Sequence, residues 1–313
     1  MADDDPVDPM DDNMDDGDED EAAPAVPLKE FTETFIKGGK QKWDEWHKEI
    51  MSKPPRFEKF LANMEKNRYP NVVLYDSTRV RIKDGLGEDY IHASWIDSYE
   101  KPRGYICAQA PFDDKTDRDF WRMCLMVKPL VKDKRTIRQF WPDDREGKKI
   151  TKTNFLMKCT MKEDERDQDR YELSIDDEKD GKVLWSFPLV QYNAWTDDRT
   201  LPVNLLEFRA SVRILMAQRT KEIKATPTSK HGAIVLVCPS GVHRCGTYVG
   251  LDVVLDRVAA ERKVGLPETV TFIREARYGT FEFFEHYMGI ADIVVRHAVS
   301  SNIVNPDAIA KRK

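Results

Sequence analysis

The apolar, largely β-branched run Ala233-Ile-Val-Leu-Val-Cys238 leads through Pro-Ser-Gly-Val-His to Arg244 and then straight into a helical stretch from Gly246 to Ala260. No other feature of the sequence narrows the fold as much. A short β-branched run reads as a strand buried on both faces, and such strands lie in sheets covered by helices. The following helix carries Tyr248, Leu251, Val254, Leu255 and Val258 on its apolar side. Between strand and helix, a loop containing Gly241 brings successive backbone N–H groups and a helix N-terminus to one point beside Cys238 and Arg244. Such a junction is an oxyanion cradle. The helix dipole and the guanidinium push the thiol toward thiolate, and the same guanidinium can clasp two oxygens of a tetrahedral anion. Read alone, the segment fits equally well a structural cysteine that closes a core strand.

The rest of the chain alternates between the two periods. Phe57 to Met64 predicts a short helix, while Asn154 to Thr160, Arg170 to Ser174 and Lys182 to Val190 predict strands separated by acidic turns. Val203 to Ala217 is helical, with apolar residues at 205, 208, 212 and 215, and further helices are expected over 268–277 and 282–298. The order implies an α/β fold: a single domain with a twisted mixed β-sheet flanked by helices. No later linker interrupts it, so the domain is expected over residues 28–300, with 301–313 as a C-terminal tail.

Residues 1–21 hold 12 acidic side chains and no Lys or Arg, and Ala-Ala-Pro-Ala-Val-Pro closes the segment. Too little apolar surface is available there to offset the entropy of ordering, so residues 1–27 read as an acidic disordered tail. Removing those 12 charges from the formal net charge of −6 leaves +6 on the remainder, a balance suited to an anionic ligand. No apolar run approaches the ~18 residues of a membrane span. The acidic start is the opposite of a secretory signal, and Cys107, Cys124, Cys159, Cys238 and Cys245 form neither a CxxC pair nor an even set. A cytoplasmic protein without disulfides is expected. The six histidines lack metal-ligand spacing, so no metal and no cofactor is expected. The basic end Lys311-Arg312-Lys313 is too short to argue for nucleic acid.

Several further segments resemble, in order, the motifs of the classical protein tyrosine phosphatases. Asn67-Arg68-Tyr69 and Tyr75-Asp76 to Val80 resemble the phosphotyrosine-recognition loop, and Asp89-Tyr90-Ile91-His92-Ala93-Ser94 resembles DYINAS. Tyr105 to Pro111 resembles YIATQGP, Asp119 to Met123 resembles DFWRM, and Phe140-Trp141-Pro142 resembles YWP. Trp195-Thr196-Asp197 resembles the mobile WPD loop, and the Cys238 to Arg244 segment resembles the family's signature loop. The resemblance implies that Cys238 attacks phosphorus to form a cysteinyl-phosphate, that Arg244 grips the phosphoryl oxygens, and that Asp197 protonates the tyrosyl oxygen and then activates water. It places Tyr69, Ser240, Gly241, Val242, His243, Glu282 and His286 at the substrate, and it names a phosphotyrosine-containing protein as the partner.

The departures from that pattern bear on turnover. Val237 stands at the family's His, Cys245 at the Ser or Thr after the Arg, Thr196 at the Pro of the acid loop, and Thr136 near a Lys. Glu282 and His286 fall on the two Gln positions near the C-terminus. A phosphatase with reduced activity and a pseudophosphatase that binds phosphotyrosine segments as an adaptor are therefore both expected outcomes. In the family the side chain after the Arg reaches back toward the nucleophile, so Cys245 is also expected within disulfide reach of Cys238.

Overall fold

The computed structural model describes residues 25–51, 56–127, 132–134, 139–144, 146–196, 199–222 and 232–304. In chain order the elements are β1 (Val26–Pro27), α1 (Leu28–Ile50), α2 (Glu58–Ala62), a 3₁₀ turn (Met64–Lys66), β2 (Arg79–Arg81), β3 (Tyr90–Ile96), β4 (Tyr105–Gln109) and α3 (Asp114–Val127). Then come β5 (Lys132–Lys134), β6 (Lys148–Lys149), β7 (Phe155–Asp164), β8 (Gln168–Asp177), β9 (Val183–Tyr192), α4 (Leu205–Glu222) and β10 (Ile234–Cys238). The chain closes with α5 (His243–Glu261), β11 (Lys263–Val264), α6 (Leu266–Ala276) and α7 (Phe284–Ser300).

Among the described residues, nine strands form one mixed sheet in the order β2-β3-β4-β10-β5-β9-β8-β7-β6. The parallel pairs lie at its centre, where β10 runs between β4 and β5, and β5 also pairs parallel with β9. Antiparallel meanders extend it on both sides. Strand alternation explains the unbroken apolar run in β10. Ile234, Leu236 and Cys238 join a core with α1, α4, α5, α6 and α7, while Val235 and Val237 join the core formed by Phe120, Trp121, Phe140 and Phe187. Both faces are buried, so no position on the strand can be polar without a partner. Each buried Val or Leu there contributes roughly 1.5–3 kcal/mol.

The strands expected between Asn154 and Val190 are present and longer than their alternation suggested: β7 and β8 pair on into a largely solvent-exposed hairpin, and β9 continues to the buried Tyr192. Two tail boundaries shift. The acidic tail was expected to reach residue 27, but Val26 and Pro27 pair with Val264 and Lys263, and the Leu28 N–H donates to Arg262 O at 2.9 Å. After α7, Ile303 and Val304 pack on the core and both donate to Ala298 O, so ordered structure passes residue 300. Residues 1–24 and 305–313 lie outside the described residues.

Candidate active site

Cys238 ends β10, and its register partner on β4 is Gln109. The Cys238 carbonyl accepts from the N–H of Ala110 at 3.0 Å and of Gly241 at 3.1 Å, so the chain reverses immediately after the cysteine. Gly241 makes the reversal possible. Its φ is +68°, and a Cβ there would lie 2.4–2.6 Å from backbone atoms of Ala108 and Gln109. Val242 precedes α5, whose first turn holds His243, Arg244 and Cys245. The predicted strand, Gly loop and helix start are thus realised in one continuous junction.

A fully buried guanidinium holds this loop from behind. Arg277 donates to Ser240 O at 3.0 Å and Gly241 O at 3.1 Å, and also to Ser94 Oγ and His92 Nδ1. Two loop carbonyls are thereby drawn away from the mouth. His92 must accept from Arg277, and its Nε2–H donates to Val72 O at 2.8 Å. Burial and the Arg277 charge lower the His92 pKa to about 3, so the ring is neutral.

Cys238 is 2% exposed. Burial alone would raise its pKa, but hydrogen bonds from the Cys245 thiol and the Cys245 N–H, together with His243 and Arg244, outweigh it and bring the thiol down to about 5. The Ser240 hydroxyl lies 4.0 Å from the sulfur. A small cavity of ≈ 20 Å³ is lined by Cys238, Arg244 and Cys245 together with Tyr192, Trp195, Leu236 and Val237, room for about one water. Within the loop, Pro239 offers no N–H, and the N–H groups of Gly241 and Val242 are engaged with Cys238 O and Ser240 Oγ. An anion entering the cradle must compete for those two donors.

The segment Lys66 to Tyr69 is tied to the same register step. The Gln109 amide donates to Lys66 O at 2.6 Å and accepts from the Arg68 N–H at 2.9 Å, while Asn67 bonds Phe60 O and the Tyr90 hydroxyl. Tyr69 is half-buried next to the Arg68 guanidinium. On the acid-loop side, Trp195 packs its edge on His286, with ring centroids 6.0 Å apart. The Thr196 N–H, which a proline would lack, donates to Ala194 O at 3.1 Å. Asp197, the expected proton donor, lies outside the described residues, as does Thr136.

His286 is fully buried among Trp195, His243 and Phe283, and the Phe283 ring is 4.6 Å from that of His243. Glu282 is exposed, and its charge is felt by Arg274. It does not line the cavity at Cys238. Its neighbour Phe281 holds a left-handed φ of 57°, fixed by its carbonyl's bond to His47 and its ring against Gly250.

Gln109, Arg277 and His92 were not assigned roles from sequence. Gln109 and His92 sit inside motifs already matched, and only the register and the burial give them and Arg277 their work. Among the described residues no group of three or more His, Cys, Asp or Glu side chains is placed to hold a metal ion.

The fold is an α/β sheet whose central strand ends at Cys238 and leads through a tight loop to Arg244 at the start of α5. The sequence model of the protein-tyrosine phosphatase family matches residues 63–296. The chain belongs to the protein-tyrosine phosphatase family. It is 29% identical over 275 residues to human receptor-type tyrosine-protein phosphatase C, which covers 80% of this chain and 20% of that protein. It is 30% identical over 277 residues to rat receptor-type tyrosine-protein phosphatase zeta, covering 79% and 11%, and 28% identical over 255 residues to human receptor-type tyrosine-protein phosphatase alpha, covering 75% and 30%. The chain therefore spans under a third of the length of these relatives. No helix among the described residues is long and apolar enough to cross a membrane.

Proposed function

We propose that the chain hydrolyses phosphotyrosine in proteins through a cysteinyl-phosphate. The observation that carries this reading is the Cys238 thiol, brought to about 5 beside Arg244 at the start of α5. At neutral pH that sulfur is an anion inside a cradle made for another anion, which is the ground state a phosphoryl-transfer nucleophile needs. Its lone pair forms the S–P bond as the bond to the tyrosyl oxygen breaks, with Asp197 supplying the proton. Water activated by Asp197 then attacks phosphorus and returns the thiolate. Arg244 clasps the equatorial oxygens, Ser240 to His243 frame them, and Tyr69 sets a depth that suits phosphotyrosine over phosphoserine. Five cysteines, all buried and none in a disulfide, fit a cytoplasmic setting.

A second reading, a phosphotyrosine-binding adaptor without turnover, is favoured by Pro239 and by the engaged N–H groups of Gly241 and Val242, which weaken the cradle where transition-state charge grows. Hydrolysis of a phosphotyrosyl peptide decides between them. Turnover that vanishes in Cys238→Ser supports the enzyme; binding without product in the parent protein supports the adaptor.

A further inference from the structure

The residues on either side of Asp197 rest on the start of α7. Trp195 sets its ring edge against His286, with centroids 6.0 Å apart. Beyond Asp197, the Arg199 guanidinium lies over the Phe283 ring, 5.1 Å from its centroid. Leu201 occupies the space that Gly289 leaves on the helix, where a Cβ would lie 2.7 Å from Leu201 Cδ2. Phe283, which precedes α7, His286 and Gly289 recur at every third residue and form one row along the helix start. The row is braced from α5: the His243 ring stands 4.6 Å from Phe283 and 6.4 Å from His286, and Arg244 follows it directly. Core packing accounts for Trp195, which is buried. It does not account for Arg199, which is exposed, or for a glycine inside a helix, where alanine is the better residue.

We propose that Phe283 and Gly289 are positioning residues for proton transfer to the leaving tyrosyl oxygen. Phe283 holds Arg199 through the attraction of a cation to an aromatic face, and Gly289 admits Leu201 to a depth that a side chain there would deny. With Trp195 seated on His286, the chain is held on both sides of Asp197. Asp197 lies two residues from Trp195 and two from Arg199, a tether of roughly 7 Å to each. The proton moves from the Asp197 carboxyl to the tyrosyl oxygen as the P–O bond breaks and its electron pair passes to that oxygen. A displaced carboxyl therefore costs most where the leaving group is most basic. This role rests on the reading of Asp197 as the proton donor, and Phe283 and Gly289 act through Arg199 and Leu201 rather than on the reacting atoms.

In the full chain, the ratio of kcat/KM for a phosphotyrosyl peptide to that for 4-nitrophenyl phosphate reads this role, because nitrophenolate departs readily without a proton. Phe283→Leu keeps the apolar bulk and removes the aromatic face, so the ratio should fall about two- to fivefold. Phe283→Trp keeps the face and should hold the parent ratio. Gly289→Ala displaces Leu201 and should lower the ratio roughly tenfold. Alanine favours the helix, so that loss cannot be ascribed to unfolding. Asp197→Asn should lower the ratio further than any of these. A ratio unmoved in Phe283→Leu or in Gly289→Ala overturns the role for that residue, and equal losses on both substrates overturn it for either. Asp197→Asn separates the two ideas. A ratio unmoved there, or a parent chain that hydrolyses neither substrate, brings down the proton-donor reading together with this role, whereas a fall in Asp197→Asn alone brings down only the role of Phe283 and Gly289.

Discussion

Cys238 and Gln109 are partners in the parallel register of β10 and β4, and the Gln109 amide holds both Lys66 O and the Arg68 N–H. Cys238 and the Lys66–Arg68 segment are therefore placed by a single strand pairing. Gln109→Ala removes both bonds, a loss of about 1–2 kcal/mol, and should weaken phosphotyrosyl-peptide binding to the Cys238→Ser protein about tenfold. The rate of Cys238 alkylation in Gln109→Ala alone should stay at the parent value. Calorimetric titration and iodoacetate kinetics check the two halves.

His92 gives the fold an acid-side weakness. Its folded pKa of about 3 lies below the ordinary 6.5, so the unfolded chain binds the extra proton as pH falls below 6.5, and stability is lost progressively down to about 3. Between pH 6.5 and 5 this group alone removes about 2 kcal/mol. His92→Asn keeps an acceptor for Arg277 and does not titrate. Urea unfolding at pH 7.5 and pH 5 should show a smaller acid loss in that variant than in the parent.

The central junction was legible because every level agreed: a β-branched run, a glycine where φ is positive, and an apolar helix face all specify strand, turn and helix. Helix α1 was not, since Gly38 and Gly39 sit in its middle and its charged residues mask an apolar stripe of Phe31, Phe35 and Trp43 that becomes evident only when those side chains pack near Tyr287. The site was legible as far as motifs reach. Nothing in the sequence reveals that Arg277 is fully buried and donates to Ser240 O and Gly241 O. The left-handed turn at Phe281, beside the exposed Glu282, is likewise a backbone feature that no residue preference announces.

Pro239 leaves the loop one N–H short, directly after Cys238. Restoring it with Pro239→Ser adds a donor to a charged acceptor, an interaction of about 1.5–3 kcal/mol. Vanadate should then bind at least about tenfold more tightly, measured by titration of intrinsic fluorescence. Gly241→Ala is the opposite case: its Cβ would lie 2.4 Å from the Ala108 carbonyl carbon, so the loop must leave β4 and vanadate binding should be lost.

The thiolate itself can be titrated without substrate. Alkylation by iodoacetate follows the deprotonated fraction, so for the parent chain the Cys238 rate should rise through an inflection near pH 5 and be flat at neutral pH. The Cys245 thiol is the side-chain donor to that sulfur, and its backbone N–H gives a second bond that survives substitution. Cys245→Ala should therefore move the inflection up by about 1–2 units, the equivalent of one hydrogen bond to a charged group, without returning it to 9.0. Cys245→Ser supplies a stronger donor and should hold the inflection at or below that of the parent. An inflection near 9.0 in the parent would mean that burial wins over the donors, and an inflection unmoved in Cys245→Ala would mean that the backbone and Arg244 hold the anion without help from the neighbouring thiol.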